Sequence, residues 1–430
     1  MRDSCCTKRT GISNYFVKPS LSHYELYHRL KSSYVPDESI TEIDPSLCYL
    51  INQTFESKRC TFVPHEDELA FRDPSYKALF NYYLSNNKYS NEYIFKSLTR
   101  RDQEVTENKR FRYTIFTPSP AVRAQEIIFL FHGLNEKYWT KYLPWAKALA
   151  EMTGKAVVLF PIAFHMDRAP KPWSDPRLMR EVVRERSALF PDMTHASFAN
   201  TAMSHRLQFA PQRFLLSGMQ TYYDIIELVN QIRANRHFYI DADASIDFFA
   251  YSVGGLLAQV LLMTNPNNIF DDTRLCMLAG GAVLQMINPV SKAIMDSSAH
   301  EAVTQFYEKI CYESDHSSEL TFFSSNHLPG LKYFKTLLRT NFMASVRQQQ
   351  FTQVGKRMLA IALAGDQVIP ADGIIETGKS GDQRALWNTT VMDFPFPYSH
   401  ENPFPVHKKW QKDVDVHFLK IMDLAASHFS

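Results

Sequence analysis

The stretch SIDFFAYSVGGLLAQVLLM, residues 245–263, decides the fold because its pattern changes from strand to helix around a single serine. Residues 246–251 form a continuous apolar run, and a helical apolar pattern begins at Gly254. Ser252 stands between the two, with the small residues Ala250 and Gly254 two positions before and after it. Small residues are needed there because the strand and helix backbones crowd at such a turn. The pattern predicts a nucleophile elbow; the alternative is a serine packed at an ordinary strand-to-helix turn.

Short apolar runs rich in β-branched and aromatic residues recur on both sides of this stretch. Such continuous runs are typical of strands that are buried on both faces of a parallel sheet. Helical patterns lie between them, so the sequence predicts an α/β fold with a doubly wound, mostly parallel sheet. The runs are FRYTIFTP, EIIFLFHG, KAVVLFPI, SIDFFAYS, RLCMLAGG, RMLAIALAG and TTVMDFPF.

Two long segments, about 162–220 and 283–355, interrupt this alternation of strand and helix. Long insertions between core strands are usually lids or binding loops. We therefore expect four parts: an N-terminal extension of unassigned role, a first part of the α/β core, a helical cap insertion, and a second part of the core. Their bounds are 1–105, 106–282, 283–355 and 356–430.

An acid and a base follow two later strands. Asp366 comes directly after the run LAIALA, and His400 lies on a loop beyond TTVMDFPFP. An acid so placed can orient a histidine, and the histidine can remove the proton of a serine hydroxyl. The chain order Ser252, Asp366, His400 is the nucleophile–acid–base order of the α/β hydrolases.

Backbone amides near the serine are candidates for an oxyanion hole. The nitrogen of Leu134 follows the strand-ending pair His132-Gly133, and the nitrogen of Val253 follows the serine. Two such N–H groups would stabilise the oxyanion of a tetrahedral intermediate. Asn135 is a second possible donor.

Residues from about 110 to 430 resemble the α/β-hydrolase superfamily through the segments HGLNE, FAYSVGGLLA, GDQVIP and YSHENPFP. The resemblance implies an eight-stranded, mostly parallel sheet flanked by helices, with a cap between two late strands. It also implies a role for each site residue: Ser252 as nucleophile, Asp366 as acid, His400 as base, and Leu134 with Val253 as oxyanion hole. The sequence departs from the family in having Ala250 for the usual glycine and a compressed GD, which leaves Asp372 and Asp393 as alternative acids.

The other histidines have less specific settings. His132 is interpreted as a structural residue beneath the oxyanion loop rather than a base. His165, His205 and His407 have no assigned place, and His407 is the one substitute for His400 that merits a test. None has a partner at metal-ligand spacing, so we predict no metal, and no cofactor is expected.

Two further motifs offer other functions. Residues 373–380, GIIETGKS, satisfy the phosphate-loop pattern G-x-x-x-x-G-K-[ST], which would indicate a nucleotide-binding protein. No strand pattern leads directly into Gly373 and no helix pattern starts at Lys379, so the interpretation preferred is a short helix that ends at Gly378. Arg177, Arg180 and Arg184 share one helical face, which a solvated surface explains better than an anion site.

The composition bounds the class of protein. The chain of 430 residues has 45% hydrophobic and 21% charged residues and a net charge of +2, so nothing favours a nucleic-acid partner. We expect no membrane span and no secretory signal, and therefore a cytoplasmic location. The cysteines have no C-x-x-C spacing and are expected to be reduced: Cys5, Cys6, Cys48, Cys60, Cys276 and Cys311.

The sequence therefore predicts a soluble serine hydrolase that cleaves an ester or related acyl bond of a small-molecule substrate. The alternative from another class is a protein of the same fold that binds without catalysis, because a fold does not fix a function. Intact or broken geometry among the serine, the histidine and the acid distinguishes the two. The acyl group and the oligomeric state cannot be read from the sequence.

Overall fold

A computed structural model of the chain describes residues 21–44, 48–58, 92–312, 323 and 328–430. Three of the cysteines, Cys48, Cys276 and Cys311, lie in these ranges and are buried, and Cys276 and Cys311 are free thiols. The other three lie outside the described residues.

One sheet of nine strands runs through the described part of the chain, in the spatial order β1-β2-β3-β5-β4-β6-β7-β8-β9. Strands β1, β2, β3 and β5 pair with one another antiparallel, and all pairs from β5 through β4 to β9 are parallel. Parallel neighbours need crossover connections, and helices supply them here. The strands are β1 Ile40–Asp44, β2 Cys48–Glu56, β3 Arg110–Thr117, β4 Ala124–Phe131, β5 Ala156–Leu159, β6 Ile240–Tyr251, β7 Leu275–Leu278, β8 Met358–Leu363 and β9 Asn388–Met392.

This arrangement confirms the predicted α/β-hydrolase fold with a mostly parallel sheet. The seven apolar runs of the sequence are the strands β3 to β9. The sheet has nine strands instead of the eight expected, because β1 and β2, from the region before residue 106, extend it on one side. Antiparallel strands near an edge leave part of their surface to solvent, so their apolar pattern is weak in the sequence.

Helices cover both faces of the sheet and separate the parallel strands. The described helices are α1 His23–Ser33, α2 Glu92–Thr99, α3 Thr106–Lys109, α4 Leu143–Thr153, α5 Pro176–Leu189, α6 Thr201–Phe209, α7 Arg213–Arg233, α8 Gly254–Thr264, α9 Ser297–Tyr312, α10 Pro329–Thr336, α11 Ala344–Val354, α12 Ala371–Thr377 and α13 Gln411–Phe429. Helix α4 ends at Gly154 in the left-handed conformation, as its sequence predicts.

Alternate side chains of each parallel strand enter two separate cores. Phe129 and Phe248 pack on the face covered by α7, α8 and α10, whereas Leu130 and Phe249 pack on the face covered by α1, α4 and α13. This is the alternation of side chains that a strand imposes, with both faces apolar.

The two long insertions pack against each other. Helix α6 contacts both α5 and α9, and we call these three the cap helices. A fully buried ion pair joins the two insertions, with Arg186 Nη2 2.6 Å from Asp296 Oδ2. Helices α10 and α11, from the later insertion, pack against α8 instead.

The two competing motifs have structural explanations. Helix α12 begins before Gly373 and ends at Thr377, so residues 373–380 do not form a loop between a strand and a helix. The segment is a short helix capped at Gly378, as its sequence predicts. Lys379 Nζ lies 3.5 Å from a carboxylate oxygen of Glu376. On α5, the arginine face is exposed while Met179 and Val182 are buried, which is a solvated helix face.

Across the ranges that the structure describes, no helix is at once long enough and apolar enough to cross a membrane.

Candidate active site

The site forms where β6 gives way to α8. Ser252 follows the strand with φ 59°, a left-handed conformation that non-glycine residues rarely adopt. A Cβ at Gly254 would lie 2.7 Å from the carbonyl oxygen of Phe131, so only glycine fits two residues after the serine. Ala250, two residues before it, is fully buried. These features produce a sharp, strained turn of the kind that presents a nucleophile.

Ser252, His400 and Asp366 lie together at the carboxyl ends of the strands. Ser252 Oγ is 2.7 Å from His400 Nε2, and His400 Nδ1 is 2.7 Å from Asp366 Oδ2. The second carboxylate oxygen of Asp366 accepts hydrogen bonds from the amides of Val368 and Ile369, at 2.8 and 2.9 Å. The carboxylate therefore has one oxygen fixed by the backbone and one directed at the imidazole. In this arrangement His400 Nδ1 carries a proton and Nε2 can accept one.

The loop that carries His400 is held from two sides. The Tyr251 hydroxyl donates a hydrogen bond to the carbonyl oxygen of His400, and the two rings are stacked with centroids 5.4 Å apart. Burial raises the pKa of the Tyr251 hydroxyl well above its ordinary value, which keeps it a donor. On the other side, Ser291 from the later insertion donates a 2.7 Å hydrogen bond to the carboxylate of Glu401. No local sequence pattern points to these supporting residues.

The alternative acids and the alternative base lie elsewhere. Asp372 is exposed in the first turn of α12, and Asp393 accepts a hydrogen bond from the hydroxyl of Tyr398. His407 is exposed and accepts a hydrogen bond from the Lys409 amide. Within the described ranges none of the three makes a hydrogen bond to the side chain of His400 or of Ser252.

The two amides expected to form an oxyanion hole flank the serine side of a cavity. Leu134 and Val253 both line it, and within the described ranges neither backbone N–H donates a hydrogen bond. The donors of Asn135 are engaged elsewhere. Its amide donates to His165 Nε2 at 2.9 Å, and its side-chain nitrogen donates to the carbonyl oxygens of Ala199 and Ala293. Asn135 therefore fixes the loop to the two insertions and has no donor left for an oxyanion.

Two buried histidines support this loop. His132 is fully buried and its Nε2 accepts the Ile162 amide at 2.9 Å, which matches the structural role expected of it. His165 accepts the Asn135 amide, and burial lowers its pKa to about 4. Burial also lowers the pKa of His132 well below 6.5, so both rings are neutral at pH 7. His205, buried in α6, lies within the cap helices.

Two cavities meet beside the site. The larger, of about 200 Å³, is mostly apolar and is lined by Leu134 and Val253 together with side chains of the insertions, among them Val303 and Leu338. The smaller, of about 50 Å³, shares Leu134 and Phe214 with the first. Among the described residues no group of three or more histidine, cysteine or acidic side chains could hold a metal ion.

One family model, described as a family of unknown function (DUF6051), matches residues 21–430. No curated protein matches the chain.

Several solved esterase structures are similar to the chain. Carboxyl esterase 2 of the fungus Tuber melanosporum has a TM-score of 0.37 and 9% identity, over 74% of this chain and 82% of that one. Esterase LipW of Mycobacterium marinum has a TM-score of 0.37 and 14% identity, over 75% of this chain and 78% of that one. A thermostable esterase of Pseudomonas putida has a TM-score of 0.36 and 12% identity, over 75% of this chain and 80% of that one.

Proposed function

We propose that this chain, which belongs to the DUF6051 family, is a serine hydrolase that cleaves an ester or related acyl bond. The observation that carries the proposal is the unbroken pair of 2.7 Å hydrogen bonds from Ser252 through His400 to Asp366, at a serine held with φ 59°. A protein of this fold that only binds ligands has no need of this strained turn or of both hydrogen bonds.

The proposed reaction begins with attack of Ser252 Oγ on the carbonyl carbon of the substrate. His400 Nε2 takes the hydroxyl proton as the new C–O bond forms, and Asp366 stabilises the imidazolium through Nδ1. The imidazolium then gives this proton to the departing alkoxide, leaving an acyl-enzyme and an alcohol. Water, deprotonated by His400, attacks the acyl-enzyme; the serine takes the proton back as the acid leaves.

The oxyanion of each tetrahedral intermediate would face the amides of Leu134 and Val253. Both N–H groups belong to residues that line the 200 Å³ cavity, and neither is engaged within the described part of the chain. A preorganised donor of this kind contributes about 3 kcal/mol to catalysis. The left-handed conformation of Asn135, with φ 61°, shapes the loop that carries the first of these amides.

The cavity also suggests where the acyl group binds. Its lining is mostly apolar, and at about 200 Å³ it is smaller than the sites that take drug-sized ligands. We therefore propose a short acyl chain rather than a long-chain lipid as the substrate group. Residues 283–355, together with the cap helices from the earlier insertion, would form the cap that shields this chain from water.

The test is labelling of the purified protein with a fluorophosphonate, followed by mass spectrometry of the peptides and by hydrolysis of 4-nitrophenyl butyrate. We expect one adduct, on Ser252, and its loss in Ser252→Ala and His400→Ala. Ser245→Ala is the matched control, because Ser245 is exposed in the middle of the same strand, seven residues before Ser252. It should label and turn over like the wild type.

Absence of any adduct, with no hydrolysis of short esters by a folded protein, would contradict the proposal and favour the non-catalytic alternative. An adduct on another serine would also contradict it. Retained turnover in Ser252→Ala would show that a different nucleophile is used.

A further inference from the structure

The smaller cavity contains a lysine that the proposed mechanism does not use. Lys137 follows the oxyanion loop and lines the 50 Å³ cavity together with Leu134 and Phe214, which also line the larger cavity. Its side chain is partly accessible, and within the described ranges it makes no hydrogen bond and no ion pair. A lysine amine is therefore available in a cavity that shares two lining residues with the cavity of the proposed oxyanion hole.

The surroundings of this lysine are mostly apolar. Ala163, Phe164, Trp173 and Leu207 form much of the wall. Desolvation lowers the pKa of the Lys137 ammonium to about 8, while the nearby carboxylate of Glu136 acts in the opposite direction. Glu136 also forms an ion pair with Lys141, so its one carboxylate is shared between two ammonium groups.

Lys137 differs in this respect from the two arginines that also line the cavity. Arg206 and Arg213 both pair with the carboxylate of Asp102, whereas Lys137 has no ion pair with any described residue. A cation held in an apolar site without a dedicated counter-ion is unfavourable, and an anionic ligand group would relieve that cost.

We propose that the Lys137 cavity binds a carboxylate, so that the substrates of this enzyme carry a free carboxylate a few atoms from the bond that is cleaved. The substrate part of this inference rests on the proposed hydrolase function. The volume has room for about three water-sized groups, which suits a carboxylate. A singly charged carboxylate also matches the single amine better than a doubly charged phosphate, because each further charge adds a desolvation cost.

The two cavities together give the substrate a definite shape. The ester carbonyl lies at Ser252, an apolar chain occupies the larger cavity or its edge, and the carboxylate passes Leu134 to reach Lys137. Half-esters of short dicarboxylic acids have this combination of groups. Neutral esters of the same length would lack the contact with the amine.

Calorimetric titration of glutarate into the full chain at pH 7 tests the inference without any need for catalysis. We expect the wild type to bind glutarate, and Lys137→Met to bind it at least ten times more weakly. Lys356→Met is the matched control, because Lys356 is exposed, and it should bind like the wild type. Glutaramide is neutral and of the same length. It should bind to each of the three proteins more weakly than glutarate binds to the wild type. Lys137→Gln replaces Lys137→Met if the latter does not fold.

Equal affinity of the wild type and Lys137→Met for glutarate would overturn the inference, as would the absence of glutarate binding to the wild type. A second measurement concerns the neighbouring serine. Saturating glutarate should slow the labelling of Ser252 by a fluorophosphonate, and unchanged labelling would overturn the placement beside the active site. Failure of the proposed function is separate, since then no serine is labelled even without glutarate.

Discussion

Two regions of strand β6, its middle around Ser245 and its carboxyl end at Ser252, differ in a way that bears on the proposed active site. Beside the middle lies an open, polar concavity of about 670 Å³, whose wall includes Lys155 and Asp247. Beside the carboxyl end lie the two smaller apolar cavities described above. Volume alone would point to the first region. The strained serine and its buried hydrogen-bond partners lie in the second, so it is the arrangement of groups that supports the proposed site.

Each of these two regions also has a buried aspartate that is held by the backbone. Asp247 accepts the Arg274 amide and a 2.8 Å hydrogen bond from the ammonium of Lys155. Asp366 accepts two amides and faces His400. The partner of Asp247 is a permanent cation, so that pair contributes to stability. The partner of Asp366 acquires its charge only when it takes a proton, so that carboxylate is positioned for a transient imidazolium.

Replacing the two aspartates separates these roles and has the largest expected effect. Asp366→Asn should lower kcat about 10³- to 10⁴-fold, because the amide leaves the imidazole in the wrong tautomer. The shape of the side chain is kept, so the urea midpoint should change little. Asp247→Asn should retain most of kcat and lower the free energy of unfolding by about 3 kcal/mol, since the buried Lys155 loses its main counter-charge.

The rates at which both variants hydrolyse 4-nitrophenyl butyrate, together with their urea unfolding curves, test whether the two aspartates have separate roles. If Asp247→Asn lost activity in proportion to Asp366→Asn while staying folded, the separation of the two regions would fail.

The core of the site was readable from the sequence because each part of it is local. The strand, the small residues around Ser252 and the strand-ending positions of Asp366 and His400 all follow from nearby residues. The positions of the elements in the sheet then bring the three side chains together, since the carboxyl ends of parallel strands meet at one edge.

The supporting residues could not be predicted because they act between distant segments. The pair Arg186–Asp296 joins residues 110 positions apart, and Ser291 and Glu401 are equally separated. Lys137 belongs to no periodic pattern or motif, and the role proposed for it depends on the cavity it lines. Local patterns carry no information on which buried charges meet.

Two glycines, one beside Ser252 and one at a helix end, differ in the space around their backbones. A Cβ at Gly254 would lie 2.7 Å from the Phe131 carbonyl oxygen, whereas at Gly154, with φ 74°, it would meet nothing within 4 Å. Gly254→Ala must therefore displace the elbow, and we expect kcat/KM to fall about 10²-fold, as for a misplacement of the reacting groups by about 1 Å. Gly154→Ala should cost about 1 kcal/mol of stability through its left-handed φ and leave kcat/KM unchanged.

Ester hydrolysis and thermal unfolding of both variants give the two readouts. Equal losses of activity in the two would indicate a general effect of glycine replacement and not crowding at the serine.

The smallest expected effect concerns buried histidines, one at each end of β6. His165 lies at the oxyanion loop, and His237 accepts the amide of Ile240, where the strand begins. Burial lowers the pKa of each to about 4. In the unfolded chain each has its ordinary pKa, near 6.5. Between pH 6.5 and 4 the unfolded state thus binds more protons, so the stability present above pH 6.5 is lost as the pH falls toward 4.

Between pH 6.5 and 4, each histidine should lower the free energy of unfolding by about 1.4 kcal/mol for each pH unit. Urea unfolding at several pH values, with His165→Gln and His237→Gln, measures it. Both variants should flatten the pH dependence of the free energy of unfolding to a similar extent. Only His165→Gln should also alter kcat/KM, because His165 holds the Asn135 amide beside the proposed oxyanion hole. An effect of His237→Gln on kcat/KM as large as that of His165→Gln would mean that the two ends of the strand are not independent.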